Sequence, residues 1–176
     1  MKLPIFIVLI FFITGVTFAA EKTATGIIFG PFPTVTLPEN DKLANILADE
    51  DYNEPYKGYK IDLNGDGIDD FVLEAPDGLC GTGGCGYLII DGKSFRKIGD
   101  FFGGGIIISN EKVNKHLIVK RLQYSDSETA QIETYIYKGN EYTLKNTKKY
   151  SGKALKNQLT GLQRIEKKRV KLDKPR

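Results

Sequence analysis

A succession of short apolar runs separated by turn residues fills the chain from residue 71 onward, and this feature constrains the fold most strongly. Val, Ile, Tyr and Phe in such runs favour strands, while the Gly, Asn and Asp residues between them favour turns. Asp91-Gly92 and Lys138-Gly139-Asn140 are hairpin signals. We therefore predict strands within residues 71–73, 87–90, 95–101, 106–108, 117–122, 132–137 and 142–150.

The pattern as a whole predicts a mainly β protein, built as a small antiparallel β domain. Strands do not alternate with long helical segments, as they would in βαβ units, and no internal repeat is evident. A sandwich and a partial barrel or propeller-like sheet are both compatible with this pattern. A chain of 176 residues is long enough for one ordinary domain with its own core.

Helical segments are predicted on both sides of the strands. Asn40-Asp41 is suited to cap a short helix that extends through Asp49, and a helical stripe begins after Ser151 among lysines. The proline-rich residues 23–38 are expected to form an extended lead-in on the domain edge. The periodic apolar residues are Leu43, Ile46 and Leu47 in the first helix, and Leu155, Leu159, Leu162 and Ile165 in the second.

The formal charge of +3 conceals an acidic body and a basic tail. Residues 21–144 carry 12 basic and 20 acidic side chains, a net charge of −8, whereas residues 145–176 carry 12 basic and 2 acidic ones, a net charge of +10. The tail is either a helix docked on the domain with a frayed basic end, or an adhesive segment for an anionic surface such as a membrane or wall polymer.

The N-terminus has the features of a cleavable export signal. Met1-Lys2 precedes an apolar run of 16 residues that ends at Thr17-Phe18-Ala19, and cleavage after Ala19 places small residues at the positions a signal peptidase needs. The alternative is an uncleaved anchor, but the run is at or below the roughly 17–25 residues that span a bilayer. We therefore expect a periplasmic or secreted protein that does not bind nucleic acid, with a signal peptide at 1–19, a β domain at 20–150 and a basic tail at 151–176.

The segment from Asp62 to Asp70, Asp-Leu-Asn-Gly-Asp-Gly-Ile-Asp-Asp, carries the clearest chemical signal. Calcium prefers six to eight hard oxygen ligands, and a tight loop with oxygen-bearing side chains at alternate positions supplies them. Gly67 permits the sharp turn that directs a backbone carbonyl toward the ion, and Asp69 is expected to face solvent. The predicted ligands are Asp62, Asn64, Asp66, the carbonyl of Ile68, and Asp70.

Residues 62–72 resemble the calcium loop of FG-GAP and VCBS-type repeats, in which such an aspartate loop leads directly into an apolar strand. The resemblance implies one bound Ca²⁺ in a β unit. Family members commonly repeat the motif to build propellers, whereas this chain has one copy. An EF-hand is disfavoured, because it requires a Glu at the twelfth position, where this chain has Leu73, and a helix where it has an apolar strand.

Cys80 and Cys85 bracket a glycine-rich loop, Gly-Thr-Gly-Gly, and are predicted to form a disulfide. The two cysteines of an exported protein should pair in an oxidising compartment, and the intervening glycines allow a small ring to close. Zinc would need further ligands, and the only histidine, His116, is distant in sequence. The spacing is not that of a redox dithiol, and the residues that follow the loop do not fit a phosphate-binding loop.

No nucleophile is marked by a catalytic motif, and His116 is expected to be a surface residue at a strand end. The sequence therefore favours a non-catalytic binding module of the cell envelope whose partner is a protein or a glycan. An inhibitor or immunity protein of a wall-degrading enzyme is one variant of this interpretation. The alternative is a calcium-dependent hydrolase of cell-wall glycan with an unrecognised carboxylate pair, since such a pair is visible only in three dimensions.

Overall fold

The computed structural model describes residues 32–159, and these form two four-stranded antiparallel sheets with a helix on the outside of each. The predicted signal peptide at 1–19 and residues 160–176 of the tail lie outside the described residues. Sheet 1 contains β1–β4 and sheet 2 contains β5–β8, each in sequential order, so every connection within a sheet is a hairpin. The elements are α1 (Asp41–Asp49), β1 (Lys57–Ile61), β2 (Asp70–Glu74), β3 (Cys85–Ile90), β4 (Lys97–Gly103), β5 (Gly105–Val113), β6 (His116–Tyr124), β7 (Thr129–Lys138), β8 (Glu141–Ser151) and α2 (152–159).

The main core lies between the two sheets, which gives the domain a sandwich-like form and confirms the prediction of a small antiparallel β domain. It combines buried apolar residues from β2, β3 and β4 with others from β5 and β6. Alternation along each strand directs one set of side chains inward, as the two-residue period of a strand requires. Central members of this core are Val72, Ile89, Phe101, Ile106, Ile108 and Val119.

Helix α1 covers the outer face of sheet 1. The Asn40 side-chain oxygen accepts hydrogen bonds from the backbone N–H groups of Lys42 and Leu43, at 3.1 and 3.2 Å, and so caps the helix as predicted. Leu43 and Leu47 are buried against outward-facing residues of β2 and β3. Burial of each leucine contributes on the order of 1.5–3 kcal/mol, which fixes α1 on this face.

Helix α2 lies on the outer face of sheet 2, where Leu155 is buried against Leu122, Ala130 and Ile132. Leu159 packs against the same cluster, so the predicted helical stripe docks on the domain through its first two members. Leu162 and Ile165 lie outside the described residues. Neither helix within residues 32–159 is long and apolar enough to cross a membrane.

Strand β1, Lys57–Ile61, is not among the strands predicted from the sequence. Its five residues pair with β2 from Lys57 opposite Glu74 to Ile61 opposite Asp70. The lead-in covers the other edge of β1, since Gly58 donates to the Pro33 carbonyl and Val35 donates to the Tyr56 carbonyl, both at 2.9 Å. The predicted packing of the lead-in on the domain edge is thus confirmed for residues 32–38.

The sequential strand order sorts the connections into two ends of the sandwich. The end formed by residues 62–69, 91–96, 114–115 and 139–140 is called the aspartate-loop end. The opposite end, formed by residues 75–84, 104, 125–128 and 152, is called the disulfide end. The two motifs found in the sequence therefore lie at opposite ends of one domain.

Candidate functional site

The aspartate loop, residues 62–70, connects β1 to β2 and is folded around the side chain of Asp62. One carboxylate oxygen of Asp62 accepts the backbone N–H groups of Gly65 and Asp66, at 2.6 and 3.2 Å, and the other accepts that of Gly67 at 3.1 Å. Burial alone would raise the pKa of Asp62, but these N–H donors lower it below its ordinary value. The carboxylate is therefore held ionised at the centre of the loop.

The next two predicted ligands continue the same pattern along the loop. The Asn64 side-chain oxygen accepts the N–H of Asp66 at 2.8 Å, and one Asp66 oxygen accepts the N–H of Ile68 at 2.9 Å. Gly65 and Gly67 have φ angles of 77° and 83°, a backbone region that side chains disfavour. Both glycines are thus required by the turn, and they place three oxygen-bearing side chains within five residues of chain.

Asp70, predicted as the last ligand, is buried and tied to two parts of the fold. It is 1% exposed, and its two carboxylate oxygens accept the N–H groups of Leu63 and Gly92, each at 2.9 Å. Burial raises the pKa of Asp70 to about 6, against the opposing effect of these two donors. Asp70 therefore joins the aspartate loop to the β3–β4 turn, a role that its position in the sequence motif did not reveal.

The donor set of the aspartate loop matches calcium in chemical type, since it consists only of carboxylate, amide and carbonyl oxygens. A carboxylate offers about four acceptor sites, so the three bonds accepted by Asp62 and the two accepted by Asp70 leave both able to accept another contact. Within residues 32–159, no three His, Cys, Asp or Glu side chains are grouped so as to hold a metal ion. A calcium site here would need the Asn64 amide and the Ile68 carbonyl as well as the carboxylates. Asp69 is exposed, as predicted.

Two neighbours of the aspartate loop come from sheet 2 and were not identified from the sequence. The Lys112 ammonium lies 3.2 Å from the point where a Cβ on Gly65 would stand. Leu117 donates its backbone N–H to the Leu63 carbonyl at 2.7 Å, and the Tyr142 hydroxyl donates to the Leu117 carbonyl at 3.0 Å. The loop is thus anchored on both sheets, through contacts between residues far apart in the chain.

His116 begins β6 at the aspartate-loop end. Its ring stacks on Tyr137 with the centroids 3.8 Å apart and the planes 4° from parallel, and its Nδ1 lies 3.0 Å from the Asn114 carbonyl oxygen. The ring is partly exposed at the end of a strand, where the sequence placed it. The stack with Tyr137 gives it a packing role.

At the disulfide end, the predicted bond between Cys80 and Cys85 is confirmed, with the two Cα atoms 4.3 Å apart. The ring that it closes lies against the bend between β4 and β5. A Cβ on Gly84 would stand 1.9 Å from the Gly103 carbonyl oxygen, so only glycine fits there. The chain bends at Gly103-Gly104-Gly105, since β4 ends at Gly103 and β5 begins at Gly105.

Near the same end, Arg121 bridges the two sheets and takes part in a partly buried ion pair within sheet 2. Arg121 on β6 donates to the Phe102 carbonyl of β4 at 3.1 Å and pairs with Glu133 on β7 at 2.6 Å. The Tyr135 hydroxyl also donates to Glu133. Burial alone would raise the pKa of Glu133, but Arg121 and Tyr135 lower it overall. This cluster could not be predicted from the sequence, because its members lie on three different strands.

Comparison with known proteins adds no relative: no family model, no curated protein and no solved structure matches the chain.

Proposed function

We propose that the domain binds one calcium ion in the aspartate loop and acts outside the cytoplasm as a non-catalytic binding module of the cell envelope. The observation that carries the proposal is the folding of residues 62–68 around the ionised Asp62, which gathers the oxygens of Asp62, Asn64 and Asp66 in one exposed turn. Asp62, Asn64, Asp66, the Ile68 carbonyl and Asp70 would hold the ion. When bound, calcium would offset the negative charge of a loop in which four of nine positions are aspartates. Three of them, Asp62, Asp66 and Asp70, accept backbone hydrogen bonds from within the loop.

Two further features support this proposal. The aspartate loop connects the first two strands of a four-stranded sequential sheet, and four-stranded sheets are also the units of β-propellers. This is the setting that the resemblance to FG-GAP and VCBS-type repeats implies. The N-terminal apolar run and the Cys80–Cys85 bond fit an exported protein, since disulfides persist in oxidising compartments.

Thermal melting of residues 20–176 with calcium and with chelator tests the calcium site. A ligand at 100 times its Kd stabilises the folded state by about 2.7 kcal/mol, which for a domain of this size raises Tm by about 5–10 °C. We expect this rise in the unaltered protein and its loss in Asp66→Ala. Asp69→Ala is the matched control, because Asp69 is exposed and adjacent in the motif. An equal rise in both variants, or none in the unaltered protein, would refute the site.

The binding role is tested separately by recovering partners from envelope extract on the immobilised domain, with calcium and with chelator. An inhibitor or immunity protein should retain a wall-degrading enzyme and reduce its activity in a calcium-dependent manner. Retention of neither protein nor glycan would contradict the binding module while leaving the calcium site intact.

The alternative, a hydrolase of wall glycan, has one structural candidate. Glu74 lies half-buried in a cavity that Glu54 and Asp77 also line, and burial raises the pKa of Glu74 above its ordinary value. A raised pKa suits a carboxyl group that donates a proton. Release of reducing ends from wall glycan that is lost in Glu74→Gln would favour this function over the binding module.

A further inference from the structure

The outer face of sheet 1 carries an apolar strip at the disulfide end. Phe102 on β4 and Leu79, just before the cystine ring, are 49% and 50% exposed. Gly83 of the ring lies against the Phe102 side chain, and Gly86 is paired with Phe102 across β3 and β4. A Cβ on Gly86 would stand 3.7 Å from the Tyr52 hydroxyl oxygen. The strip therefore extends from the cystine ring, past Phe102, to Tyr52.

Tyr52 forms the near wall of a cavity of about 180 Å³ between residues 52–57 and the end of β2. This volume is suited to the end of one side chain. The walls combine aromatic rings with charged groups, and three of the four charged groups are acidic, so the cavity carries a net charge of −2. Its principal lining residues are Tyr52, Glu54, Tyr56, Lys57, Glu74 and Asp77.

The one cation in the cavity wall is already engaged. The Lys57 ammonium donates to both carboxylate oxygens of Asp77, at 2.6 and 2.8 Å. The carboxylate of Glu74 is half-buried beside this pair; burial raises its pKa, and the nearby Lys57 ammonium offsets only part of that rise. Within residues 32–159, no group donates a hydrogen bond to it. A partly desolvated carboxylate without a donor is unfavourable, and a cation brought into the cavity would relieve it.

We propose that this cavity receives a lysine or arginine side chain of a protein partner, while an apolar residue next to that side chain packs on Phe102. The negative charge selects the cation, and the rings of Tyr52 and Tyr56 favour it further through cation–π attraction. An aromatic anchor beside a desolvated charge is typical of the residues that dominate binding energy in protein interfaces. The inference deepens the proposed binding module, on which it rests, by naming the surface and the partner's chemistry.

The surface is built on rigid backbone, which favours binding because little ordering is lost when the partner docks. The cystine closes the ring through Cys80 and Cys85, and Gly84 is locked against the Gly103 carbonyl. The Lys57 ammonium and the Asp77 carboxylate pair at 2.6 Å on the far wall of the cavity. The partner's cation would thus meet a preformed site.

The first test is an NMR titration of residues 20–176, with calcium present, using butylammonium, butylguanidinium, butanol and butyrate as probes. We expect saturable shifts of the Tyr52, Glu74 and Asp77 amides with both cations, with a Kd on the order of 1–10 mM, about −3 to −4 kcal/mol. Glu74→Gln should raise the Kd of both cations at least about fivefold. Glu128→Gln, an exposed carboxylate at the same end of the sandwich, is the matched control and should leave binding unchanged. Equal shifts with butanol, or no effect of Glu74→Gln, would overturn the proposal.

The second test uses the peptides acetyl-Lys-Gly-Phe-amide and acetyl-Lys-Gly-Gly-amide. We expect the first to bind at least about threefold more tightly, and Phe102→Ala to abolish this difference without altering butylammonium binding. Cation binding that appears only after truncation at residue 159 would instead identify the chain's own basic residues as the occupant. Hydrolysis of wall glycan that depends on Glu74 would assign the cavity to catalysis. If the cavity proposal fails in either of these ways, a normal calcium-dependent rise in Tm in the same samples would show that the proposed calcium site is unaffected.

Discussion

Replacing Asp70 by Ala, with calcium removed by chelator, tests the role of this residue in joining the aspartate loop to the β3–β4 turn. The change leaves the backbone N–H groups of Leu63 and Gly92 without their acceptor, and Leu63 is fully buried. Hydrogen bonds to a charged group contribute about 1.5–3 kcal/mol each. The free-energy cost of losing two such bonds is offset in part, because the substitution also removes the cost of burying the carboxylate. We therefore expect the free energy of unfolding to fall by about 2–4 kcal/mol, a large share of the 5–15 kcal/mol typical of a domain.

Urea unfolding followed by circular dichroism, at pH 7 in chelator, measures this change. Asp69→Ala is the control, and we expect it to cost less than about 0.5 kcal/mol because Asp69 is exposed. Hydrogen exchange of the Leu63 and Gly92 backbone amides should become faster in Asp70→Ala and stay unchanged in Asp69→Ala. A loss below about 1 kcal/mol in Asp70→Ala, or equal losses in the two variants, would refute the argument that Asp70 ties these two segments together.

Three further predictions concern pH and the disulfide end. The pKa of Asp70 is raised to about 6 in the folded protein, above its unfolded value of about 3.9, so the folded state binds more protons between these values. In chelator, the contribution of Asp70 to stability should therefore fall as pH rises from about 4 to about 6, and urea unfolding of Asp70→Asn should lack this component. Replacing Cys80 and Cys85 by Ser should cost about 2 kcal/mol, the chain-entropy value for so small a ring, measured as unfolding free energy against the oxidised protein. Gly84→Ala should lower Tm markedly because its Cβ would stand 1.9 Å from a backbone carbonyl oxygen, whereas Gly81→Ala, with nothing within 4 Å, should leave Tm unchanged.

The sequence predicted the elements whose signals are local. The capped helix α1, the hairpins at Asp91-Gly92 and Gly139, and the bond between Cys80 and Cys85 each depend on a few adjacent residues, and each is present in the structure. Strand β1 was missed because Lys57–Ile61 is short and mixed in polarity, and it is stabilised by pairing with β2 and the lead-in.

The arrangement of the sheets and part of the site depend on contacts between distant residues. The choice of a sandwich follows from the packing of β2–β4 on β5 and β6, which the pattern of each strand alone does not determine. The same holds for Asp70, whose second partner, Gly92, is 22 residues away in the chain. The cavity around Glu74 could likewise not be predicted from the sequence, because residues 52–57 and the end of β2 meet only in the folded sheet.

The calcium site is tested most directly by titrating ¹⁵N-labelled residues 20–176 with calcium and following the backbone amide resonances by NMR. We expect saturable shifts with one ion per chain, largest at Gly65 and Gly67, whose N–H groups bond to Asp62. We also expect a Kd of about 10⁻⁴–10⁻³ M, as for extracellular calcium modules, and loss of the shifts in Asp66→Ala but not in Asp69→Ala. Resonances of the aspartate loop that stay unchanged up to about 10 mM calcium, well above that range, would contradict the calcium site and leave the loop as a hydrogen-bonded turn.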